Sequence, residues 1–398
     1  MRIGIFGNMN NNHFVLYRYL KDLNFDITLF ILSEEPTHFR PEADTFSREL
    51  LSNVKLLPWH RLPNIFTATN FETIPREIQG FDFIIATGIA AAYLYKYGIK
   101  IDVFVPYGSD IYRTAFFFKT FKIKNSKLSK IGKYYKMCRA QYKGINTSKI
   151  ILMEKTNKEF EKLIKIFKPR RVFKSLPMVY CPEYEKQCFN TYFSSSSHFV
   201  KCQQLLEGIS FVVLQHCRQH WDEEKGAWAE KANNYLIQAF ANLVKTQPLL
   251  TTKLILLEYG SSVDKSKKLI QKLDIQNNVI WLPILERKEI MAIISLSDVV
   301  VGELYRSWLT YGCVFESLVM KKPFIHHCKV DLYKDRYDEL YSMYPASTTD
   351  EVYEQLVKLS RKKEAQPHSP LIEQNTLEWY NQKCKQPVID FFLENFEH

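Results

Sequence analysis

The chain has 398 residues, of which 46% are hydrophobic and 24% are charged, and its formal net charge is +11. This length exceeds a single ordinary hydrophobic core, and the composition excludes an intrinsically disordered protein. No apolar run approaches the roughly 20 residues of a membrane span. The basic net charge predicts an anionic partner: a phosphate-bearing substrate, a nucleic acid or an acidic membrane surface.

The first third of the chain alternates apolar runs with segments of helical spacing. Strands are predicted at RIGIFG, DITLFIL, VKLLP, FDFIIATG and DVFVPYG, and a helix at HFVLYRYLKDL. Because these runs are continuously apolar, we expect the strands to be covered on both faces, as in a parallel sheet. RIGIFG is predicted to be a buried first strand, because it lacks the features of a signal peptide.

The same alternation returns in the second half. Strands are predicted at ISFVVLQHC, KLILLEYG, VIWLP, DVVVGE and PFIHHC, and helices at NYLIQAFANLVKT, SKKLIQKLDI, RKEIMAIISLS and FESLVMKK. Strands that alternate with helices predict an α/β fold of two Rossmann-like, doubly wound parallel-sheet domains.

Between Leu176 and Gly208 this rhythm is lost, and two prolines and the run SSSS occur there. We place the connection between the domains in this region. The last segment is predicted to be helical, to be interrupted at Pro387 and to cross back to the N-terminal domain. The predicted divisions are an N-terminal domain over 1–185, a linker over 186–208, a C-terminal domain over 209–370 and the C-terminal helical segment over 371–398.

The most informative stretch is Asp298–Cys328, DVVVGELYRSWLTYGCVFESLVMKKPFIHHC. A strand leads to a turn at Tyr311 and Gly312, then to a helix that carries Glu316. Backbone N–H groups at the start of a helix bind a diphosphate, and a carboxylate one turn in can accept ribose hydroxyls. The stretch resembles the donor-binding motif of family 4-like glycosyltransferases, which implies that these three residues bind the donor.

In that family a second Glu usually occurs eight positions before the Glu that Glu316 matches, and this chain has Trp308 there. A subset of the family lacks this Glu and has a Gly–Tyr–Gly-type turn, which SWLTYG resembles. His326 and His327 follow on the strand PFIHHC, and we expect them to be satisfied histidines of the core or its rim.

The segment HCRQHWDEEKGAWAEKANNYLIQAF resembles the family's Arg…Lys-Gly-Asn-Asp pattern. Arg218 matches the Arg, and Lys231 matches the Lys better than Lys225 does, because the helix after it aligns in register. The resemblance implies that both cations reach the donor diphosphate and stabilise the leaving group without a metal. Gly260, which ends the strand KLILLEYG, completes the predicted donor-binding set.

Two loops of the N-terminal half resemble the same family. GNMNNNHF is similar to its GN-x-x-NN start, a polar loop over the inter-domain cleft. VPYGSDIYR is similar to its H-G-S-D turn, with Tyr107 where a His is commonest. The cleft-loop candidates are Gly7, Asn8, Asn11, Gly108 and Ser109. The catalytic candidates are Asp110, His13, Arg218 and Lys231, of which Asp110 is expected to be a structural or acceptor-side carboxylate.

Ten Lys and Arg residues and no Asp or Glu lie between Arg113 and Lys143, interleaved with Phe and Tyr. Helical spacing within LSKIGKYYKMCRAQY is typical of a helix that lies on an anionic membrane, and a solvated basic face is the alternative. Three consecutive aromatics, Phe116–Phe118, cannot all face one core, so at least one should be exposed or docked elsewhere.

The motifs, in their order along the chain, predict a GT-B enzyme that transfers a sugar from a nucleotide-sugar to a glycan or lipid-linked acceptor in surface polysaccharide or glycoconjugate synthesis. The resemblance implies retention of anomeric configuration and no metal, since no DxD-like motif occurs and Asp222–Glu224 is interpreted as loop charge. No cofactor is expected beyond the nucleotide-sugar substrate. Eight scattered cysteines without metal-ligand spacing predict a cytoplasmic protein, which the basic run would hold at the inner face of the membrane.

Three other functions compete with this prediction. A GT-B nucleotide-sugar epimerase would bind the same donor but would place carboxylates and a histidine in the cleft. A non-catalytic nucleotide-sugar-binding module is suggested by Trp308 and Tyr107. A nucleic-acid binder is suggested by the basic run alone; no nucleic-acid motif accompanies it, so we expect no nucleic-acid partner.

Overall fold

The computed structural model describes residues 1–117, 128–154, 164–184, 193–194, 196–221, 230–366, 371 and 376–396. The chain forms two compact units. The first contains Met1–Tyr180 and Cys384–His398, and the second contains Cys181–Lys383. The first unit therefore ends at Tyr180, and the limit predicted at residue 185 lies outside the described residues. Of the predicted C-terminal segment 371–398, only Cys384–His398 belongs to the first unit.

The first unit is built on a seven-stranded sheet whose pairings are parallel. Its strands are β1 (Arg2–Phe6), β2 (Asp26–Leu32), β3 (Val54–Leu57), β4 (Phe83–Ala86), β5 (Val103–Phe104), β6 (Ile150–Met153) and β7 (Arg170–Phe173). Their spatial order is β3-β2-β1-β4-β5-β6-β7. The order reverses between β1 and β4, which is where ligands bind in sheets of this kind.

The second unit is built on a six-stranded sheet, also with parallel pairings. Its strands are β8 (Phe211–Gln215), β9 (Thr252–Leu257), β10 (Val279–Leu282), β11 (Val299–Val301), β12 (Phe324–His326) and β13 (Tyr344–Pro345). Their order is β10-β9-β8-β11-β12-β13. The strands predicted for the second half are present, and the fold is the predicted pair of doubly wound α/β domains.

Helices cover the sheets. In chain order they are α1 (Asn12–Asp22), α2 (Pro63–Ala68), α3 (Ala90–Lys96), α4 (Leu128–Asn146), α5 (Ser197–Leu205), α6 (Asn233–Thr246), α7 (Val263–Lys272), α8 (Arg287–Leu296), α9 (Gly312–Val319), α10 (Thr349–Ala365), α11 (Thr376–Tyr380) and α12 (Gln386–Phe396). Helix α5 lies within the predicted linker and belongs to the second unit. Among the described helices, none is both long and apolar enough to span a bilayer.

Strand β1 is apolar after its first residue because both of its faces are buried. Successive side chains point to opposite faces of a strand. Ile3 and Ile5 therefore pack on one face with Phe392 of α12, while Phe6 packs on the other face with Tyr93 of α3. All five side chains are fully buried, and each contributes roughly 1.5–3 kcal/mol to folding. Because helices cover both faces, the only polar residue of the strand is Arg2, at its exposed start.

Helices α11 and α12 are separated by a π-helical turn over Asn381–Lys385. Pro387 follows this turn, and a proline has no N–H with which to continue an α-helical ladder. The interruption predicted at Pro387 is therefore present in the backbone. After it, Val388, Phe391 and Phe392 of α12 are buried in the core of the first unit.

Candidate functional site

The loops after β8 and β11 meet at the carboxyl edge of the second sheet. These strands are neighbours although β9 and β10 lie between them in sequence, so the strand order reverses here. This edge is the usual ligand-binding position of an open α/β sheet. Helix α9 begins beside it, and the predicted donor residues lie on these segments.

Glu316 is held by a histidine and an arginine. Its Oε2 lies 2.7 Å from Nε2 of His216, which follows β8, and its Oε1 lies 3.1 Å from Nε of Arg287, the first residue of α8. The Glu316 side chain is only 7% exposed. Burial acts to raise its pKa, but the hydrogen bond and charge of His216 and the charge of Arg287 outweigh it, and the pKa of Glu316 is lowered. The carboxylate is therefore ionised at neutral pH.

Lys231 forms a second buried ion pair, with Glu303. Both side chains are 12% exposed. The Lys231 backbone donates to the His220 carbonyl (2.8 Å) and accepts from the Leu304 N–H (3.1 Å), so it joins the loops after β8 and β11. The next residue, Ala232, has a left-handed φ of +52°. A non-glycine residue keeps such a strained backbone only where its surroundings enforce it. The left-handed turn at Ala232 therefore fixes the position of Lys231 relative to the start of α6.

Tyr311 supports Glu303 through the backbone. Its hydroxyl accepts a hydrogen bond from the Glu303 N–H at 2.9 Å, and burial raises its pKa well above the usual value. A Cβ on Gly302 would lie 2.2 Å from that hydroxyl, so the contact requires glycine there. The geometry thus gives Tyr311 a structural role in place of the predicted donor contact. Gly312 begins α9 and leaves space beside Glu316, whose Oε1 would lie 3.9 Å from an added Cβ.

Arg218 and Gly260 lie on adjacent loops of the same edge. The Arg218 side chain is exposed and its guanidinium lies 6.0 Å from the centre of the Tyr259 ring. Gly260 has a φ of +121°, and a Cβ there would lie 2.2 Å from the Gln219 carbonyl oxygen. Gly260 was predicted to bind the donor; its geometry shows that it allows the loop carrying Arg218 to pack against the loop after β9.

Trp308, which stands where the family usually has a Glu, lies further along the loop after β11. The N–H of Trp308 donates to the His327 carbonyl at 3.3 Å. Glu303 supplies a carboxylate to this loop, and sequence reasoning missed it together with His216 and Arg287. His326 is fully buried with its Nε2 3.2 Å from the Tyr341 hydroxyl, and burial lowers its pKa to about 3. It is a core histidine, as predicted, and His327 hydrogen-bonds the backbone through Nδ1.

Metal-ligating atoms converge at one place among the described residues. One ligand atom each of His216, Cys313 and Glu316 lies within 4.8 Å of the others. The Arg287 guanidinium already contacts the same carboxylate and would oppose a second cation there. The predicted loop charge Asp222–Glu224 and the alternative cation Lys225 lie outside the described residues.

In the first unit, a side-chain network fixes the loop after β1. Asn8 Nδ2 donates to Asn11 Oδ1 at 2.8 Å, and Asn8 Oδ1 accepts from the Phe14 N–H at 2.9 Å. Glu35 Oε1 accepts from the Asn8 N–H at 2.8 Å. Burial, opposed by these hydrogen bonds, raises the pKa of Glu35 to about 7. Gly7 has a φ of +94°, which lets the loop turn directly after the strand.

His13 is buried at the start of α1, with 2% of its surface exposed. Among the described residues, neither ring nitrogen has a hydrogen-bond partner, and burial lowers its pKa to about 3. The ring is therefore neutral at physiological pH. In this arrangement it is placed to accept or donate one hydrogen bond, not to carry a charge.

Asp110 organises the turn after β5. Its carboxylate accepts from the backbone N–H groups of Gly88, Tyr107, Gly108 and Ile111 at 2.9–3.3 Å. The residue is 1% exposed, and burial raises its pKa to about 6. These contacts hold the turn together, as expected of a structural carboxylate, and the catalytic role of Asp110 stays a prediction. Ser109 begins the π-helical turn that follows, without a side-chain cap.

The basic run has one described helix, α4. Its exposed residues include a row of cations at three-residue spacing: Lys130, Lys133, Lys136 and Arg139. Phe116 and Phe117 pack partly buried against the core of the first unit, while Phe118 and the lysines between 119 and 127 lie outside the described residues. Gly144 permits α4 to touch α3, since a Cβ there would lie 2.1 Å from the Ala91 carbonyl oxygen.

Comparisons with known proteins agree with this architecture. Residues 228–309 match the family model described as glycosyl transferases group 1. No curated protein matches the sequence. Among solved structures, Anabaena Alr3699/HepE in complex with UDP superposes with a TM-score of 0.59 at 13% identity, covering 100% of both chains.

Two further structures have the same fold. Sucrose-phosphate synthase from Thermosynechococcus elongatus has a TM-score of 0.53 at 10% identity, covering 100% of this chain and 98% of its own. UDP-GlcNAc 2-epimerase from Neisseria meningitidis, bound to UDP-GlcNAc, has a TM-score of 0.54 at 13% identity, covering 99% and 100%. The two sheets and these likenesses define a GT-B protein. Within that class, the match over residues 228–309 makes this part of the second unit similar to the group 1 glycosyltransferases.

Proposed function

We propose that the second unit binds a nucleotide-sugar, with UDP-sugars the first class to test, and that the enzyme transfers the sugar to a glycan or lipid-linked acceptor. The observation that carries this proposal is the buried, ionised carboxylate of Glu316 one turn into α9, at the carboxyl edge of the sheet. Two proteins with this fold have been solved with such ligands: Anabaena Alr3699/HepE with UDP and with UDP-glucose, and the Neisseria meningitidis 2-epimerase with UDP-GlcNAc.

The site offers each part of such a donor a chemically suitable partner. Glu316 Oε2 contacts His216 and Oε1 contacts Arg287, and each oxygen keeps lone pairs that can accept a ribose hydroxyl. The N–H groups at the start of α9 point toward the same edge, where an anion is favoured. Arg218 is exposed and free to swing onto a diphosphate, and Lys231 can join it when an anion competes with Glu303.

Two cations and a helix start can stabilise the charge that develops on a leaving nucleoside diphosphate. The proposal therefore includes a metal-independent reaction, with retention of configuration as the family resemblance implies. Proton NMR of the product's anomeric signal tests retention. Loss of activity in EDTA, restored by manganese, would contradict metal independence.

Donor binding is tested by comparing Arg218→Ala with Lys245→Ala, an exposed lysine in the last turn of α6. Nucleotide release is followed with UDP-, GDP- and CMP-sugars, with and without a membrane extract as the source of acceptor. Losing one charged contact should weaken donor binding roughly 10- to 100-fold in the Arg218 variant. Equal donor affinity in the two variants would contradict the assignment.

A nucleotide-sugar epimerase is the second candidate, because His216 lies beside the Glu316 carboxylate and epimerases share the fold. An epimerase would convert the sugar nucleotide to its isomer without releasing nucleotide and without an acceptor. A binding module would give neither product. The panel described above therefore separates these functions.

For the acceptor side we propose contact with an anionic membrane surface, at the cytoplasmic face. Helix α4 presents its cation row beside Tyr135, which is 48% exposed, and packs on α2, where Leu62 and Ile65 are 49% and 38% exposed. Each cation near an anionic surface contributes on the order of 1 kcal/mol. Such a surface would bring a lipid-linked glycan of a surface polysaccharide pathway to the enzyme.

Liposome co-sedimentation tests the surface. Protein should bind vesicles with an anionic lipid at low salt and release them when Lys130, Lys133, Lys136 and Arg139 become glutamate. Binding that is absent, or unchanged in that variant, would contradict a membrane contact. Binding of RNA or DNA in preference to vesicles would favour the nucleic-acid alternative.

A further inference from the structure

His216 occupies the first position after β8, where the chain leaves the sheet core at its carboxyl edge. The side chain is 4% exposed and its Nε2 is 2.7 Å from Glu316 Oε2. The segment that carries Arg218 and Lys231 begins with it, but the motif gives it no role. The residues of β8 before it are four apolar residues and a glutamine. A histidine buried against a carboxylate at a ligand-binding edge therefore requires an explanation.

The contact fixes the hydrogen on the ring. An ionised carboxylate can only accept, so Nε2 must carry the hydrogen that joins the two residues. Among the described residues, Nδ1 has no hydrogen-bond partner. The orientation of the His216 ring is therefore set by Glu316 through a single polar contact, together with the packing around it.

The same contact fixes the carboxylate. Arg287 holds Oε1 from the start of α8, and His216 holds Oε2 from the end of β8. With one oxygen held by each partner, the carboxyl plane cannot rotate about its last bond without breaking a charge-assisted hydrogen bond. Gly312 leaves the approach to Oε1 open, since a Cβ at that residue would meet only this oxygen, at 3.9 Å.

We propose that His216 is a positioning residue of the donor site, which orients the Glu316 carboxylate so that it can accept the ribose hydroxyls of a nucleoside diphosphate. This inference rests on the proposed function of Glu316. It assigns His216 no proton transfer to substrate. It also explains why Glu316 has two partners: Arg287 would suffice to balance its charge, but a second contact is needed to fix the carboxyl plane.

The test compares two amides that replace different ring nitrogens. His216→Gln places an N–H donor near the position of Nε2, and His216→Asn places one near Nδ1, too far back to reach Glu316. His220→Gln is the matched control, because this histidine lies on the same loop and hydrogen-bonds Ser261 instead. Binding of UDP and of 2′,3′-dideoxy-UDP, which lacks both ribose hydroxyls, is measured by calorimetry, and circular dichroism checks the fold.

The asparagine variant should bind UDP about 10- to 100-fold more weakly than the unmodified enzyme and bind dideoxy-UDP equally well, because the lost contact acts only through the ribose. The glutamine variant should remain within about threefold for both nucleotides. Equal weakening of both nucleotides in the asparagine variant would show a merely structural histidine and overturn the proposal, as would unchanged UDP binding.

A ligand-free measurement keeps the two proposals distinguishable. If the unmodified enzyme binds no nucleoside diphosphate, the proposed function fails. The His216–Glu316 contact is then judged by nitrogen-15 NMR of histidine-labelled protein, where the ring should be the Nε2–H tautomer and should change in Glu316→Gln. An Nδ1–H tautomer, or a ring signal indifferent to that substitution, overturns the positioning role.

Discussion

Gly260 is the position where adding one methyl group should most disturb the candidate site. In Gly260→Ala, the new Cβ would lie 2.2 Å from the carbonyl oxygen and 2.8 Å from the amide nitrogen of Gln219. Gln219 is tied on both sides: its N–H donates to the Tyr259 carbonyl at 2.7 Å, and its carbonyl accepts from the Ser262 N–H at 3.0 Å. The backbone cannot withdraw without losing these hydrogen bonds.

The cost can be divided between strain and collision. A positive φ, here +121°, costs a residue with a Cβ about 1–2 kcal/mol. The two backbone hydrogen bonds contribute roughly 0.5–1.5 kcal/mol each, so Gly260→Ala should lower the free energy of unfolding by about 2–5 kcal/mol. Gly208 provides the control, since it has a φ of +74° but no atom within 4 Å of an added Cβ. Gly208→Ala should cost only the strain, about 1–2 kcal/mol.

Both variants belong to the second unit, and urea unfolding measures both costs on the same scale. We expect the Gly260 variant to lose the larger free energy and also to bind donor more weakly, because the displaced loop carries Arg218. Equal losses in the two variants would refute the role assigned to the contact with Gln219. If Gly260→Ala is destabilised but binds donor normally, the loop that carries Arg218 does not belong to the donor site.

Three other changes test buried charges. Glu316→Ala should lower the free energy of unfolding by about 3–5 kcal/mol in urea titrations, because it removes the buried carboxylate that His216 and Arg287 contact. An exposed substitution such as Lys245→Ala should change this free energy little. Arg18→Met should cost a similar 3–5 kcal/mol, since it removes the guanidinium that contacts the buried Asp44 carboxylate; a loss below about 1 kcal/mol would contradict this. The raised pKa of Glu35, about 7, means that its favourable contribution is complete below its unfolded pKa near 4.5 and is lost as pH rises through 7. Between pH 5 and pH 8, the unmodified protein and Glu34→Gln should each lose roughly 2–3 kcal/mol more of their free energy of unfolding than Glu35→Gln, because Asp110 titrates in all three proteins.

The architecture could be predicted because its signal is local. Each strand of the second sheet from β8 to β12 is a short apolar run, and hydrophobic burial on both faces requires such a run wherever it occurs. Strands β6 and β7 were missed. The exposed and half-buried residues of β7, Arg170–Phe173, look like surface sequence because this strand lies at the edge of its sheet.

The candidate site was predictable only where a residue belongs to a motif. Glu316 and Lys231 were found in this way, but their partners were not, because His216, Arg287 and Glu303 come from distant segments that only the fold brings together. The roles of Gly260 and Asp110 depend on atomic contacts across loops. A motif indicates which residues matter, whereas the contacts decide which of them bind and which support.

Helix α12 gives the chain an order of assembly. Its apolar side chains fill the first unit's core beside β1, yet they are translated only after the whole second unit, Cys181–Lys383. At about 5–20 residues per second, synthesis of those ~200 residues takes on the order of 10–40 s. During that interval one face of the first sheet is covered by α1 but lacks the part of its cover that α12 supplies, while the second unit has all of its own segments. The nascent protein should therefore complete its second unit first and expose part of the apolar face around Ile3 and Ile5 to chaperones until α12 emerges.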